Sequence, residues 1–142
     1  MNNFVYTDTM TGKEYIQLRV SVNWEPLTEG QAKRGLENTT FLVVARDGEK
    51  AIGMGRVLFD FGYVAYIGDV IVSKEYQGKG IGISIVEALI SKVLNASESN
   101  DKIMFILGAA KGKEGFYEKL GFKRRPNDYV GCGMTKWVTT NL

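Results

Sequence analysis

A glycine-rich turn between an apolar segment and a long helical pattern limits the fold of this chain more than any other feature. Residues 63–72 are mostly apolar, residues 77–82 read QGKGIG, and apolar side chains then recur at helical spacing to about Asn95. A second apolar segment follows at 103–107. A strand, a crossover helix and a second strand make a parallel pair in one sheet. The sequence therefore predicts a sheet with at least one parallel pair.

The first sixty residues predict helices and an antiparallel hairpin. Thr11 and Glu14 have capping-box spacing, and so do Thr28 and Gln31, so each pair is expected to open a helix. The Asp47-Gly48 turn joins two apolar segments and predicts a hairpin. The predicted strands are 4–7, 41–45, 51–59, 63–72, 103–107, 122–125 and 133–138, and the predicted helices are 15–20, 28–38, 81–95 and 114–120, the last closed by Gly121.

These elements predict an α/β (α+β) fold. We expect a mixed, mostly antiparallel central sheet of six to seven strands with helices on both faces, in a single domain over residues 1–142. No apolar run approaches the ~20 residues of a membrane span, and no signal peptide is evident, so we expect no membrane association.

Two residue counts exclude whole classes of chemistry. The chain has no histidine, which excludes Ser-His-Asp and Cys-His mechanisms and leaves no metal site that needs a histidine, so we expect no metal. Its one cysteine, Cys132, cannot form an internal disulfide and fits a reducing compartment, so we expect a cytoplasmic protein. The net charge of +2 is too small to indicate nucleic acid binding.

The glycine-rich turn suits a phosphate group. Closely spaced glycines leave backbone N–H groups accessible, and at a helix start these donors and the helix dipole attract an anion. The alternative is a tight turn that needs glycine only for positive φ. The spacing of Gly78, Gly80 and Gly82 fits neither the P-loop nor the dinucleotide-binding pattern.

Three further segments give the turn a family resemblance. Gln77, Gly80 and Gly82 match the pattern Gln/Arg-x-x-Gly-x-Gly/Ala, Asp69-Val-Ile-Val precedes it, and Phe116-Tyr-Glu-Lys-Leu-Gly-Phe follows it. Together these motifs resemble those of the GNAT superfamily of N-acetyltransferases, and are similar to small members such as the arylalkylamine (serotonin-type) enzymes. The resemblance implies a GNAT fold whose fourth and fifth strands splay apart.

The resemblance also implies how acetyl-CoA is held. The Val70 N–H would face the acetyl oxygen, and the backbones of Ile71 and Val72 would bind the pantetheine amides. The pyrophosphate would lie on the turn, whose six residues are Gln77, Gly78, Lys79, Gly80, Ile81 and Gly82.

Two side chains are candidates for catalysis. By resemblance, Tyr117 also contacts the cofactor and is the general acid that protonates the thiolate. Asp69 stands in an apolar strand where aspartate is rare, so a structural or a functional need keeps it there. Its low ordinary pKa makes a simple base role costly, so a base, a water-mediated path and a structural role all stay open.

Acceptor choice is expected to depend on variable segments. Asn23 and Trp24 lie in the loop between the first two helices, which borders the acceptor site in this fold, and Tyr66 is a further candidate for substrate binding. Aromatic packing in the hairpin is the alternative explanation of Tyr66.

The function expected from the resemblance is direct acetyl transfer from acetyl-CoA to a primary amine in a ternary complex, and the expected amine is a small molecule. The alternatives are acetylation of a protein N-terminus or lysine, and a non-catalytic module that senses acyl-CoA. A homodimer is left open.

Overall fold

The computed structural model of the chain describes residues 3–141. Its strands are β1 Val5–Thr7, β2 Phe41–Asp47, β3 Lys50–Phe59, β4 Val64–Val72 and β5 Met104–Ile106, and its helices are α1 Gly12–Ser21, α2 Glu29–Glu37, α3 Ile81–Asn95 and α4 Glu114–Glu118. A single 3-10 turn, Lys74–Tyr76, follows β4 and was not predicted.

The sheet is mixed, as expected from the crossover. Its order is β1-β2-β3-β4-β5, with antiparallel pairs throughout except for the parallel pair of β4 and β5. The chain divides into two compact units, one ending at Leu107 and the other beginning at Gly108. The whole sheet and α1 to α3 belong to the first unit, and α4 belongs to the second.

The number of strands was predicted wrongly. Within residues 3–141 the sheet has five strands rather than six to seven, because neither 122–125 nor 133–138 forms a strand. Residues 123–141 are exposed, so the side chains there lack the burial that makes a strand favourable.

Helices α1 and α2 begin at the two predicted caps. Thr11 and Glu14 form a complete capping box at α1. At α2, the Gln31 backbone N–H donates to the Thr28 hydroxyl, but the reciprocal bond of a capping box is not formed among the described residues. Both helices cover one face of the sheet, where the buried cluster comprises Tyr15, Leu18, Ala32, Leu42, Val44, Met54 and Ile71.

Helix α3 covers the opposite face, and two glycines of β3 let it approach closely. A Cβ on Gly53 would lie 3.3 Å from Ile85 Cδ1, and one on Gly55 would lie 2.5 Å from Ile85 Cγ2 and 3.0 Å from Leu89 Cδ1. Met54, between the two glycines, points to the α1 face, as alternation along a strand requires. Backbone-to-helix packing at β3 therefore sets the position of α3.

Strand β4 carries an irregularity at its centre. Arg56 of β3 is paired with Gly68, and Met54 is paired with Ile71, so Asp69 and Val70 together face the single residue Gly55. This is a β-bulge, which bends a strand and leaves an extra residue outside the regular ladder.

Pairing of β4 with β5 ends early. The pairs are Val64 with Met104, Ala65 with Phe105 and Tyr66 with Ile106. From Ile67 to Val72, β4 has no partner strand on its β5 side within the described residues. The predicted splay of the fourth and fifth strands corresponds to this unpaired edge.

We expect Gly55→Ala to destabilise the protein, because the added methyl group meets the branch methyl of Ile85 rather than a mobile side-chain end. Overpacking of this kind costs about 1–3 kcal/mol. Urea unfolding and thermal melting would measure the loss. Gly131→Ala is the matched control, since its Cβ meets nothing within 4 Å and it needs no positive φ. Equal stability of the two variants would contradict the close approach of α3.

Candidate functional site

The glycine-rich turn requires glycine at two positions. Gly78 has φ +79° and Gly80 has φ +82°, a region that side chains rarely adopt. Gly80 is the N-cap of α3, so the second of these conformations reverses the chain directly into the helix. At both positions a Cβ would meet nothing within 4 Å, so the requirement comes from the backbone and not from crowding inside the protein.

The turn leaves a row of backbone donors free. The first backbone bond of α3 runs from the Ser84 N–H to the Gly80 carbonyl, and within the described residues the N–H groups from Gly78 to Ile83 donate to no protein acceptor. The first turn of α3 contains no acidic side chain that would occupy them. Free donors and the positive end of a 15-residue helix favour an anion, so the turn is chemically able to hold a group such as a pyrophosphate.

The Gln77 side chain attaches the turn to the end of β4. Its Nε2 donates to the Val72 carbonyl at 2.8 Å, and its backbone N–H donates to the Lys74 carbonyl at 3.3 Å. Lys79 is exposed on the turn itself. The free donors of the turn therefore lie directly beyond the end of β4 and its unpaired edge.

The three β4 residues expected to hold pantetheine have different side-chain surroundings. Val70 points to the α3 face, where its Cγ2 would lie 3.5 Å from a Cβ on Gly55. Ile71 is buried in the cluster against α1 and α2, and Val72 is paired with Gly53. The side chains of Val70 and Ile71 both pack inside the protein. A ligand along the unpaired edge of β4 would therefore meet backbone groups.

Asp69 adopts an unusual backbone conformation. Its φ is +50°, which costs a non-glycine residue roughly 1–2 kcal/mol, although aspartate tolerates this region better than most. Such a conformation persists only where its surroundings enforce it. The enforcing groups are on α1 and β3.

The Asp69 carboxylate is surrounded by donors. Tyr15 Oη donates to Oδ2, Arg56 Nε donates to Oδ2 at 2.7 Å, and Arg19 Nη1 donates to Oδ1 at 3.1 Å. The side chain of Asp69 is only 11% exposed. We call these four residues the Asp69 cluster. A carboxylate with two cationic partners and a hydroxyl donor favours the structural role left open for Asp69 over that of a base.

The donors of the Asp69 cluster are themselves held in place. Arg19 Nε donates to the Glu25 carbonyl at 2.8 Å, and Arg56 Nη1 donates to the Thr39 hydroxyl at 3.1 Å. Burial, and secondly the hydrogen bond to Asp69, raise the pKa of Tyr15 to about 12, so its hydroxyl stays protonated.

Sequence reasoning missed the three donors of the Asp69 cluster. Tyr15 and Arg19 are four residues apart on one face of α1, which is ordinary helical spacing. The available signal was Arg56, a charged side chain inside an apolar strand, which needs a partner just as Asp69 does.

The predicted acceptor residues fall in two places. Asn23 is exposed, with φ +63°, in the loop after α1. Trp24 is half-buried against the α1–α2 cluster, with Arg19 Cζ 5.6 Å from its ring centroid. Tyr66 is 45% exposed on β4 at the last pair with β5. Trp24 thus adjoins the Asp69 cluster through Arg19.

Tyr117 lies in the second unit, on α4. Its ring packs edge-to-face against Phe116 and Phe122, with centroids 4.9 and 5.8 Å away. Burial raises the pKa of Tyr117, so it is protonated at neutral pH and able to donate a hydrogen bond. Gly121, with φ +93°, ends this segment as predicted.

Comparison with known proteins identifies the family. The family model "Acetyltransferase (GNAT) domain" matches residues 13–136, which extend over both units. The chain therefore belongs to the GNAT family of N-acetyltransferases.

Individual relatives agree with this assignment. An uncharacterised N-acetyltransferase, ycf52, of Pyropia yezoensis is 31% identical over 122 residues, covering 83% of this chain and 68% of the relative. GCN5-related N-acetyltransferase 2, chloroplastic, of Arabidopsis thaliana is 37% identical over 83 residues, covering 58% of this chain and 31% of the relative. The chain thus spans about a third of the length of the Arabidopsis relative.

A solved structure shares the architecture. A protein of unknown function from meticillin-resistant Staphylococcus aureus superposes with a TM-score of 0.82 at 32% identity, covering 94% of this chain and 99% of that chain. Within residues 3–141, no helix is both long and apolar enough to cross a membrane. In the same range, no three His, Cys, Asp or Glu side chains lie together as a metal site would require.

The raised pKa of Tyr15 predicts a specific pH dependence of stability. An unfolded tyrosine titrates near ~10, and the folded one near about 12, so this contribution is complete below pH ~10 and is lost as pH rises towards 12. We expect the free energy of unfolding to fall by about 1–2 kcal/mol more in the wild type than in Tyr15→Phe over this range, allowing for solvent screening. Urea unfolding across the range would measure it. Parallel curves for both proteins would contradict the assignment.

Proposed function

We propose that the chain transfers the acetyl group of acetyl-CoA to a small primary amine, by direct attack of the amine in a ternary complex. One observation carries the proposal: the unpaired edge of β4 leads directly into the turn whose N–H groups are free. A strand edge offers donors and acceptors to an extended amide chain, and a helix start offers donors to phosphate. Pantetheine pyrophosphate has these two parts in that order.

The Val70 N–H is proposed as the donor to the acetyl oxygen. Val70 lies in the β-bulge and outside the regular ladder with β3, so its peptide is not fixed by a strand partner there. Negative charge develops on the carbonyl oxygen as the amine attacks, and one preorganised donor to such an oxygen is worth ~2.7–4 kcal/mol. Ile71 and Val72 would bind the pantetheine amides through their backbones.

The transfer needs two proton movements. The amine nitrogen forms a bond to the acetyl carbon, the carbon–sulfur bond breaks, and the thiolate leaves with the electron pair. The amine gives its proton to water. Tyr117 is proposed to donate a hydrogen bond and then a proton to the thiolate, and water returns a proton to the tyrosinate; the role rests on the motif and on the protonated state of Tyr117.

The acceptor is proposed to be small. The chain has no strongly acidic stretch from which an open groove for a basic protein tail could be built. Asn23, Trp24 and Tyr66 are proposed to contact the acceptor, which would favour an amine with an apolar part. A cytoplasmic location, a homodimer and a single domain over residues 1–142 stay predictions.

Stabilisation by acetyl-CoA tests the cofactor site. At ~100 times its Kd, acetyl-CoA should add about 2.7 kcal/mol to the stability of the wild type. We expect Gly80→Ala to lose most of this gain, because Gly80 needs positive φ at the anion site. Gly48→Ala is the matched control: its φ is +60° and it has the same open surroundings, but it lies in the β2–β3 turn. The melting temperature of each protein is measured alone, with acetyl-CoA and, for comparison, with NAD. A wild-type melting temperature that acetyl-CoA does not raise would overturn the proposal.

Replacement of the proposed acid tests the mechanism. Tyr117→Phe keeps the ring and its packing but removes the proton, so kcat should fall by about 10²-fold while the KM for acetyl-CoA stays similar. Thiol release on a panel of primary amines measures both constants. Tyr129→Phe, at a tyrosine that is 94% exposed, is the control. An unchanged kcat in Tyr117→Phe would assign the proton transfer to water alone.

A further inference from the structure

The Asp69 cluster lies beside the proposed oxyanion donor, yet none of its side chains has a part in the transfer as proposed so far. Its three donors come from two elements that flank the bulge: Tyr15 and Arg19 from α1, and Arg56 from β3. They converge on one carboxylate, which belongs to the residue preceding Val70.

The direction of the Val70 N–H depends on Asp69. This N–H belongs to the peptide plane that joins Asp69 to Val70, so rotation about the Asp69 backbone turns it. Asp69 and Val70 have no ladder partner in β3 within the described sheet, so strand pairing does not fix that plane. The side-chain contacts of Asp69 are the fixed connections that hold its left-handed conformation.

We propose that Tyr15, Arg19 and Arg56 are positioning residues, which act through Asp69 to hold the β-bulge so that the Val70 N–H faces the acetyl oxygen. This inference rests on the proposed acetyl transfer. Asp69 is then an anchor, and the amine proton leaves through water.

The charges of the Asp69 cluster support an anchor over a base. Two guanidinium groups neutralise one carboxylate, and the Tyr15 hydroxyl donates to the same oxygen as Arg56 Nε. Three of the roughly four lone-pair directions of this carboxylate already accept hydrogen bonds from cationic or hydroxyl donors of the protein, which makes it a weaker base than a free carboxylate.

Two substitutions of Asp69 separate the anchor from the base. Asparagine tolerates positive φ and keeps one oxygen that accepts from the donors, but it cannot take a proton from the amine. Alanine disfavours positive φ and has no side-chain oxygen, so it can neither anchor the bulge nor act as a base. If Asp69 is an anchor, Asp69→Asn keeps at least a tenth of the wild-type kcat and the same pH profile, and Asp69→Ala loses about a hundredfold. If Asp69 is the base, both variants are equally inactive, which would overturn the proposal.

Tyr15→Phe tests the cluster without altering Asp69. We expect kcat to fall about tenfold with the KM for acetyl-CoA within about twofold, because the donor N–H is misdirected while the anion site is intact. Glu14→Gln is the matched control: the Glu14–Arg46 ion pair is also anchored on α1, at 2.7 Å and similar burial, but it does not reach the bulge. Equal kcat in Tyr15→Phe and Glu14→Gln would refute the positioning role.

An amide spectrum separates failure of this inference from failure of the proposed function. In ¹⁵N-labelled protein, Tyr15→Phe should shift the Val70 amide resonance and speed its hydrogen exchange, whereas Glu14→Gln should leave both unchanged. This readout requires no acetyl transfer. A Val70 amide that is identical in Tyr15→Phe and wild type would overturn the positioning role even if the enzyme proves active. Absence of an acetyl-CoA shift in the wild type would overturn the proposed function, and with it the acetyl oxygen as the target of the Val70 N–H, but not the anchoring of the Val70 peptide by the Asp69 cluster.

Discussion

The contact between β3 and α3 determines where the proposed cofactor site can be. Because Gly53 and Gly55 have no side chains, Ile85 and Leu89 pack almost against the strand backbone. That contact fixes the axis of α3 and therefore the position of its first turn, where Gly80 reverses the chain and the backbone donors are free. A helix held a few ångströms further from the sheet would carry the same glycine-rich sequence but would place its N-terminus away from the end of β4.

The two faces of the sheet contribute different parts of the site, and β4 is where they meet. The α3 face supplies the glycine-rich turn beyond Val72, where the anion is proposed to bind, and the α1 face supplies the Asp69 cluster one residue before Val70. On β3 the two faces are adjacent in sequence, since Arg56 donates to Asp69 on the α1 face and Gly55 packs against α3. Packing of apolar side chains is enough to hold the helices on either face of the sheet. The bulge at Asp69 also requires charge pairing, because an unpaired charge in this partly buried environment would be costly.

Local sequence signals were sufficient for much of the fold and for part of the site. Periodicity, caps and turn glycines predicted α1 to α3 and strands β1 to β5, and the glycine spacing indicated the turn. The strand predicted over 133–138 failed because β-propensity without a buried partner surface does not make a strand. Asp69 stood out in the sequence because aspartate is rare in a strand. Its partners Tyr15 and Arg19 did not stand out, because both are ordinary residues on a helix. Only the packing of α1 against β3 and β4 brings them into contact with Asp69.

The open edge of β4 has a consequence for how the protein behaves without its ligand. Residues of this edge carry backbone groups that another extended chain could pair with, and sheet edges of this kind are where proteins self-associate. A bound pantetheine arm would occupy those groups as an added strand does. The acyl donor would therefore block edge-to-edge pairing as well as react. Without acyl-CoA, the protein would be more prone to aggregate through this edge than the acyl-CoA-bound form.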